Sequence, residues 1–173
     1  MKYISNPHIE EFRGYLECLS RLCANGYSFG VSSYEADSEI DSLVSELTEL
    51  WGAGDEYVEP SIYEYTGHEL IEYELIIDEI QGYIFNGLLS LECMKNDDAR
   101  SYAKKALTED INEYYGLVSV SLNENGVFHP LISSEVYRLN INCQRSEKSF
   151  FFIVKIENLY VLTSFVKNES NEE

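Results

Sequence analysis

Apolar residues in the first half of the chain recur every three or four positions in three segments, 7–23, 38–52 and 68–87. Each segment is bounded by residues that start or stop helices, such as the Asn6-Pro7 pair before the first and the glycines at the ends of all three. Between the first two segments, residues 27–34 alternate apolar and polar side chains, which is typical of a strand. The pattern therefore predicts three amphipathic helices and one strand.

The second half begins with one more helical pattern, which Asp97 is expected to cap and Gly116 to close. Five β-rich runs follow, separated by short turn sequences: 117–122, 127–132, 135–143, 149–156 and 159–166. Short connections favour antiparallel pairing. The predicted fold class is α+β, with N-terminal acidic helices packed on one face of a C-terminal antiparallel β-meander of four to five strands.

A chain of 173 residues has the size of one ordinary domain. The composition divides it into an acidic, mainly helical region (1–94), a region with one helix and the antiparallel sheet (95–168) and a flexible polar tail (169–173). We expect the first two regions to share a core and to form one compact unit.

Charge separates the two regions most clearly. The net charge is −19, and the 73 positions from Leu22 to Met94 contain sixteen Asp and Glu but no Lys or Arg. Ordinary helix surfaces mix Glu with Lys four residues apart, which offsets repulsion by a few tenths of a kcal/mol per pair. Crowded carboxylates raise one another's pKa, so stability is expected to increase as the pH falls from 7 towards about 5.

Motifs for catalysis, cofactors and metals are absent from the sequence. There is no GxSxG, P-loop or GxGxxG, and His68 with Glu69 and Glu72 lacks the second histidine of a zinc helix, so we interpret it as a solvated helix start. The prediction is no catalytic residues, no metal and no cofactor. The N-terminus has no apolar signal segment, and the four cysteines form no CxxC pair, which predicts a cytoplasmic protein with free thiols.

The acidic stretch predicts a binding protein. A polyanionic surface repels nucleic acid and anionic membranes, so the expected partner is a basic protein surface that itself binds nucleic acid. The hypothesis is a non-catalytic nucleic-acid mimic that occludes such a surface, as phage and mobile-element inhibitors of nucleases and defence complexes do. An immunity or antitoxin protein that neutralises a basic toxin fits the same charge. The candidate partner-binding carboxylates are Glu35, Asp37, Glu39, Asp41, Glu46, Glu49, Asp55, Glu56, Glu59, Glu64, Glu69, Glu72, Glu74, Asp78 and Glu79. The candidate aromatic contacts are Tyr57, Tyr63, Tyr65 and Tyr73.

The last third of the chain offers a second hypothesis. The turn Asn125-Gly126, the strands around 136–139 and 150–152 and the segment 160–167 resemble the RelE/HigB superfamily of toxin ribonucleases, especially its phage-type branch. The resemblance implies a ribonuclease, or a degenerate relative that has lost its catalysis, whose remaining site residues would be Arg138, Lys148, Lys155 and Lys167. Thr163-Ser164 stands where that family has histidine and glycine. The net charge also opposes the binding of messenger RNA, so the mimic hypothesis is preferred.

Overall fold

The computed structural model describes residues 1–23, 26–53, 63–88, 92–123, 125–144 and 146–169, without the side chains of Glu92 and Cys93. Within these residues there are four α-helices: α1 (Pro7–Leu22), α2 (Ile40–Gly52), α3 (Tyr73–Leu88) and α4 (Asp97–Leu122). The six strands are β1 (Lys2–Ile4), β2 (Tyr27–Glu35), β3 (Tyr63–Leu70), β4 (Val136–Cys143), β5 (Ser146–Ile156) and β6 (Leu159–Asn168). Two short 3-10 helices lie at Glu92–Lys95 and Leu131–Ser133.

The strands form a single sheet in the order β1-β2-β6-β5-β4-β3, and every neighbouring pair is antiparallel. The α+β class and the antiparallel sheet predicted from the sequence are confirmed. Consecutive strands β4, β5 and β6 form the meander, while β1, β2 and β3 come from the acidic N-terminal region. The sheet reaches six strands because that region adds to both of its sides.

Helices cover both faces of the sheet, so the expectation that they share one face is wrong. Helices α1, α3 and α4 pack on one face with the larger core, and α2 packs on the other face with a second core. The reason lies in β5, where five consecutive residues, 150–154, are all buried. A strand that is apolar on both faces must be covered on both.

Two of the five predicted C-terminal strands do not form. Residues 117–122 continue helix α4, and residues 127–132 are irregular up to the 3-10 helix at Leu131. The predicted start of a helix at His68 is also wrong, because His68 lies in β3 and α3 begins at Tyr73.

Local signals explain where the helices begin. The side chain of Asn6 accepts a hydrogen bond of 3.0 Å from the backbone N–H of Ile9, and that of Asn96 accepts one of 2.9 Å from Ala99. Such caps satisfy backbone donors that have no partner in the first turn. Helix α1 therefore starts where the sequence predicts, whereas α4 is capped by Asn96, one residue before the predicted cap Asp97.

Candidate functional site

Helix α2 carries the most concentrated group of the predicted carboxylates. Its apolar stripe, Ile40, Leu43, Val44 and Leu47, is buried against the sheet. The opposite side of the helix presents Asp41, Glu46 and Glu49 to solvent, with Ser42 and Ser45 between them. We call these three carboxylates, together with Asp37 and Glu39 in the turn before the helix, the acidic α2 surface.

A cluster of three polar side chains fixes the start of α2 against the edge strand β3. The hydroxyl of Tyr65 donates a hydrogen bond of 2.6 Å to Oδ1 of Asp41, and Nδ1 of His68 lies 2.9 Å from the same oxygen. The hydrogen bonds from Tyr65 and His68 lower the pKa of the Asp41 carboxyl. Burial and the nearby Asp41 carboxylate raise the pKa of Tyr65. Asp41 is therefore held as a carboxylate and is positioned by β3.

The other end of α2 contacts β3 through aromatic rings. The ring centroids of Trp51 and Tyr63 lie 5.5 Å apart, and those of Trp51 and Phe151 lie 6.0 Å apart. These three side chains line a groove of about 350 Å³ beside the helix. Of the predicted aromatic contacts, Tyr63 and Tyr65 thus lie next to α2. Tyr73 lies on the other side of the sheet, where it packs against the larger core.

The remaining predicted carboxylates of the described residues lie on different parts of the structure. Glu72, Glu74 and Asp78 are exposed at the start of α3, on the face of the sheet opposite to α2. Glu64 and Glu69 are exposed on the edge strand β3. The sixteen carboxylates therefore do not form one flat face. Asp55, Glu56, Glu59 and Tyr57 lie outside the described residues.

Most of these carboxylates have no ion-pair partner in the described part of the chain. Three of them do: Glu35 pairs with Lys2, Glu46 with the N-terminal amino group and Glu79 with Arg138 and Lys148. Asp41 lies 2.9 Å from Nδ1 of His68, which forms an ion pair with it only when the histidine is protonated. The carboxylates without a described cation within 4.0 Å are Asp37, Glu39, Glu49, Glu64, Glu69, Glu72, Glu74 and Asp78. These eight side chains are exposed to solvent.

Three of the four cations that the family resemblance singles out converge on the opposite face from α2. Arg138, Lys148 and Lys167 lie on the neighbouring strands β4, β5 and β6, and Lys148 is paired directly with Lys167 across β5 and β6. Lys155 does not join them. It lies on the α2 side of the sheet, with Nζ 5.7 Å from the ring centroid of Tyr160, a residue of the second core.

Side chains that sequence reasoning missed complete this basic cluster. Asn140 and Asn142 follow Arg138 at two-residue spacing on β4 and line a cavity of about 340 Å³ with it. Strand alternation could have found them, because residues i, i+2 and i+4 lie on one face. Tyr83 and Asn86 line an adjoining cavity of about 330 Å³. They come from α3, and no pattern in the sequence links that helix to β4.

None of the helices in the described part of the chain combines the length and the apolar character that crossing a membrane requires. The described residues also contain no group of three or more His, Cys, Asp or Glu side chains that could hold a metal ion. Cys18, Cys23 and Cys143 are free thiols.

Comparisons with known proteins place the chain in no family. No family model matches it, and no curated protein matches it. Among solved structures, a crystal structure of citrus MAF1 is similar with a TM-score of 0.43 and 12% sequence identity, over 94% of this chain and 99% of that chain. A likeness at this level gives no information about function.

Proposed function

We propose that this protein is a non-catalytic binding protein whose acidic α2 surface occludes a basic, nucleic-acid-binding surface of a partner protein. The observation that carries the proposal is the outward side of α2. Its exposed charges are all carboxylates, separated by two serines, and the helix has no cation to offset them.

The carboxylates of the acidic α2 surface repel one another, and this repulsion is the physical basis of the proposal. Neighbouring carboxylates closer than the Debye length of about 8 Å repel one another and destabilise the folded state. One charge on the acidic α2 surface, that of Glu46, is partly offset by the N-terminal amino group at 3.9 Å, and Asp41 accepts hydrogen bonds from Tyr65 and His68. Asp37, Glu39 and Glu49 are not offset by any described cation. A basic partner would supply the missing counter-charge.

The charge density along α2 indicates how many phosphates of a nucleic acid the helix could replace. From Asp41 to Glu49 the helix rises about 12 Å, a length over which duplex DNA carries about seven charges. Helix α2 presents three carboxylates in that stretch. The acidic α2 surface therefore replaces a few phosphates, and the partner surface that it fits is a short row of Lys or Arg.

The proposal is tested by the salt dependence of binding to a purified partner. Proteins captured from the source cells on the immobilised chain are identified, and one that binds nucleic acid is purified. The dissociation constant is then measured in roughly 50 and 200 mM salt, with and without a DNA or RNA ligand of the partner. We expect the affinity to fall by at least about tenfold and the nucleic acid to compete. An affinity that is independent of salt, or simultaneous binding of the nucleic acid, would contradict the proposal.

The partner's identity distinguishes two versions of this function. A nuclease or defence complex as partner corresponds to an inhibitor of the phage or mobile-element type. A basic toxin as partner corresponds to an immunity or antitoxin protein. Both versions use the same acidic surface, and the salt test applies to both.

A further inference from the structure

A second charged site lies on the opposite face of the sheet from α2, on the neighbouring strands β4, β5 and β6. It contains Arg138, Lys148 and Lys167, whose side chains are 37%, 59% and 30% exposed. Like charges directly opposite each other on neighbouring strands destabilise a sheet, and Lys148 and Lys167 are such a pair. An anion that lies between or beside the two ammonium groups offsets this repulsion.

Two carboxylates of the chain supply part of that negative charge. Glu147 lies 2.5 Å from Nζ of Lys167, and this hydrogen bond raises the pKa of the lysine. Glu79 lies farther from its partners, 3.5 Å from Nη2 of Arg138 and 4.0 Å from Nζ of Lys148. Distances of this size are long for charge-assisted hydrogen bonds, which are typically about 2.7–2.9 Å. Arg138 and Lys148 therefore retain capacity for a better placed anion.

The space around the three cations has the shape of a binding cleft. A cavity of about 340 Å³ lined by Arg138, Asn140 and Asn142 adjoins one of about 330 Å³ lined by Tyr27 and Tyr83. Lys148 and Glu147 line both cavities, so the two adjoin at these side chains. Pockets of this volume are typical of small-molecule sites.

Tyr83 supplies an independent indication of a ligand. Its side chain is 2% exposed, and its hydroxyl has no hydrogen-bond partner among the described residues. A buried polar group without a partner is rare and costs about 1–3 kcal/mol. The ammonium of Lys148 lies 4.7 Å from the centroid of the same ring, which places that ring next to the basic residues.

We infer that this cleft binds a small phosphate monoester. The phosphate group accepts hydrogen bonds from Arg138 and Lys148 in place of Glu79, and the organic part lies in the cavity beside Tyr27 and Tyr83. A tetrahedral dianion suits three cations on adjacent strands, and the planar guanidinium of Arg138 can bind two of its oxygens. The site is separate from the acidic α2 surface, so a negative result for one proposal does not affect the other.

The test uses uridine 5′-monophosphate, inorganic phosphate and uridine as probes of the full chain, by calorimetry at constant ionic strength. We expect the monophosphate to bind, phosphate to bind more weakly and uridine not to bind. Lys148→Gln should weaken binding of the monophosphate by at least about tenfold. Lys155→Gln is the matched control, because it removes the same charge from the same strand on the other face. It should leave the affinity within about twofold.

Glu79→Gln separates a binding role from a merely structural one. If the ion pairs of Glu79 only hold α3 to the sheet, this substitution lowers the melting temperature and leaves phosphate binding unchanged. If Glu79 competes with the ligand for Arg138 and Lys148, the substitution should tighten binding several-fold. No binding of the monophosphate at millimolar concentration, equal loss in Lys148→Gln and Lys155→Gln, or unchanged affinity in Glu79→Gln would overturn the inference. Binding or cleavage of single-stranded RNA without binding of the monophosphate would also overturn it, in favour of the ribonuclease hypothesis.

Discussion

Two buried tyrosine hydroxyls in the larger core differ in whether they have a partner. Tyr115 is 1% exposed and its hydroxyl forms a hydrogen bond with Oγ1 of Thr163, itself 1% exposed on β6. Tyr83 is equally buried, and its hydroxyl has no partner among the described residues. Removing a partner leaves a buried polar group unsatisfied, whereas removing an unsatisfied hydroxyl removes that cost.

We therefore predict opposite outcomes for two conservative substitutions. Thr163→Val should lower the free energy of unfolding by about 1–3 kcal/mol, because it leaves the Tyr115 hydroxyl unsatisfied. Tyr83→Phe should leave the free energy unchanged or raise it. Urea denaturation measures both, with Thr163→Ser as the control that keeps a hydroxyl. A Thr163→Val variant as stable as the unchanged chain would show that the hydrogen bond does not contribute.

The Asp41 carboxylate contributes to the stability of the folded state, and this contribution is lost at low pH. The sequence suggests that crowding raises carboxyl pKa values, but hydrogen bonds from Tyr65 and His68 lower the pKa of Asp41. A folded-state pKa below the unfolded value means that the contribution to stability is fully present above about pH 4. It is lost as the pH falls through the lower folded-state pKa. Glu10 shifts in the same direction, chiefly because of a hydrogen bond from Ser5.

Thermal melts from pH 6 to pH 3 test this shift. We predict that the melting temperature falls below about pH 4 and that Asp41→Asn makes the fall shallower, because asparagine does not titrate. Asp78→Asn is the control, since Asp78 is exposed on α3 and has no ion pair among the described residues. The same pH dependence in all three proteins would contradict the prediction.

At the scale of elements, periodicity predicted the helices that have one strongly apolar side. Ile9, Phe12 and Leu16 of α1 are fully buried, as their spacing indicates. Periodicity failed for α4, which was expected to end at Gly116 and continues to Leu122. Gly116 is not a helix stop here. It lies under the ring of Phe128, which would be 2.0 Å from a Cβ at that position. The helix continues because Val118 and Ser119 are buried, and packing outweighs their weak helix propensity.

The irregular segment after α4 was wrongly predicted to be a strand, for a different reason. Residues 127–132 have the composition of a strand, but their backbone is satisfied by side chains of the helix end. The N–H of Val127 donates to Oδ1 of Asn123, and that of His129 donates to Oγ of Ser119. Local side-chain hydrogen bonds of this kind compete with strand pairing, and propensity does not include them.

Glycines within helices allow a prediction at this scale. A Cβ added to Gly14 of α1 would have nothing within 4 Å, whereas one added to Gly87 of α3 would lie 2.4 Å from Sγ of Cys23. Gly14→Ala should raise the free energy of unfolding by about 0.5–1 kcal/mol through helix propensity. Gly87→Ala should lower it, because the contact between α1 and α3 must open. Chemical denaturation of the two variants checks the difference, and equal effects would contradict it.

At the scale of the whole molecule, the topology of the sheet determines which charged residues lie on the same face. The sequence showed where the carboxylates and the missing cations are, but not that α2 and α3 lie on opposite faces. That separation depends on β2 pairing with β6, over 120 residues away, which no local pattern encodes. The same topology brings Arg138, Lys148 and Lys167 together and leaves Lys155 on the other face.

We expect partner binding to depend on the acidic α2 surface and not on total charge. Two variants with equal charge change test it. The α2 variant carries Glu39→Gln, Glu46→Gln and Glu49→Gln, none of which removes a capping or buried contact. The α3 variant carries Glu72→Gln, Glu74→Gln and Asp78→Asn, all exposed on the other face.

The decisive measurement is the dissociation constant of the purified partner for these two variants and for the unchanged chain, in roughly 50 mM salt. We predict that the α2 variant binds at least about tenfold more weakly, while the α3 variant stays within about twofold of the unchanged chain. Equal losses would mean that only net charge matters. A loss confined to the α3 variant would place the binding surface on the other face and contradict the account.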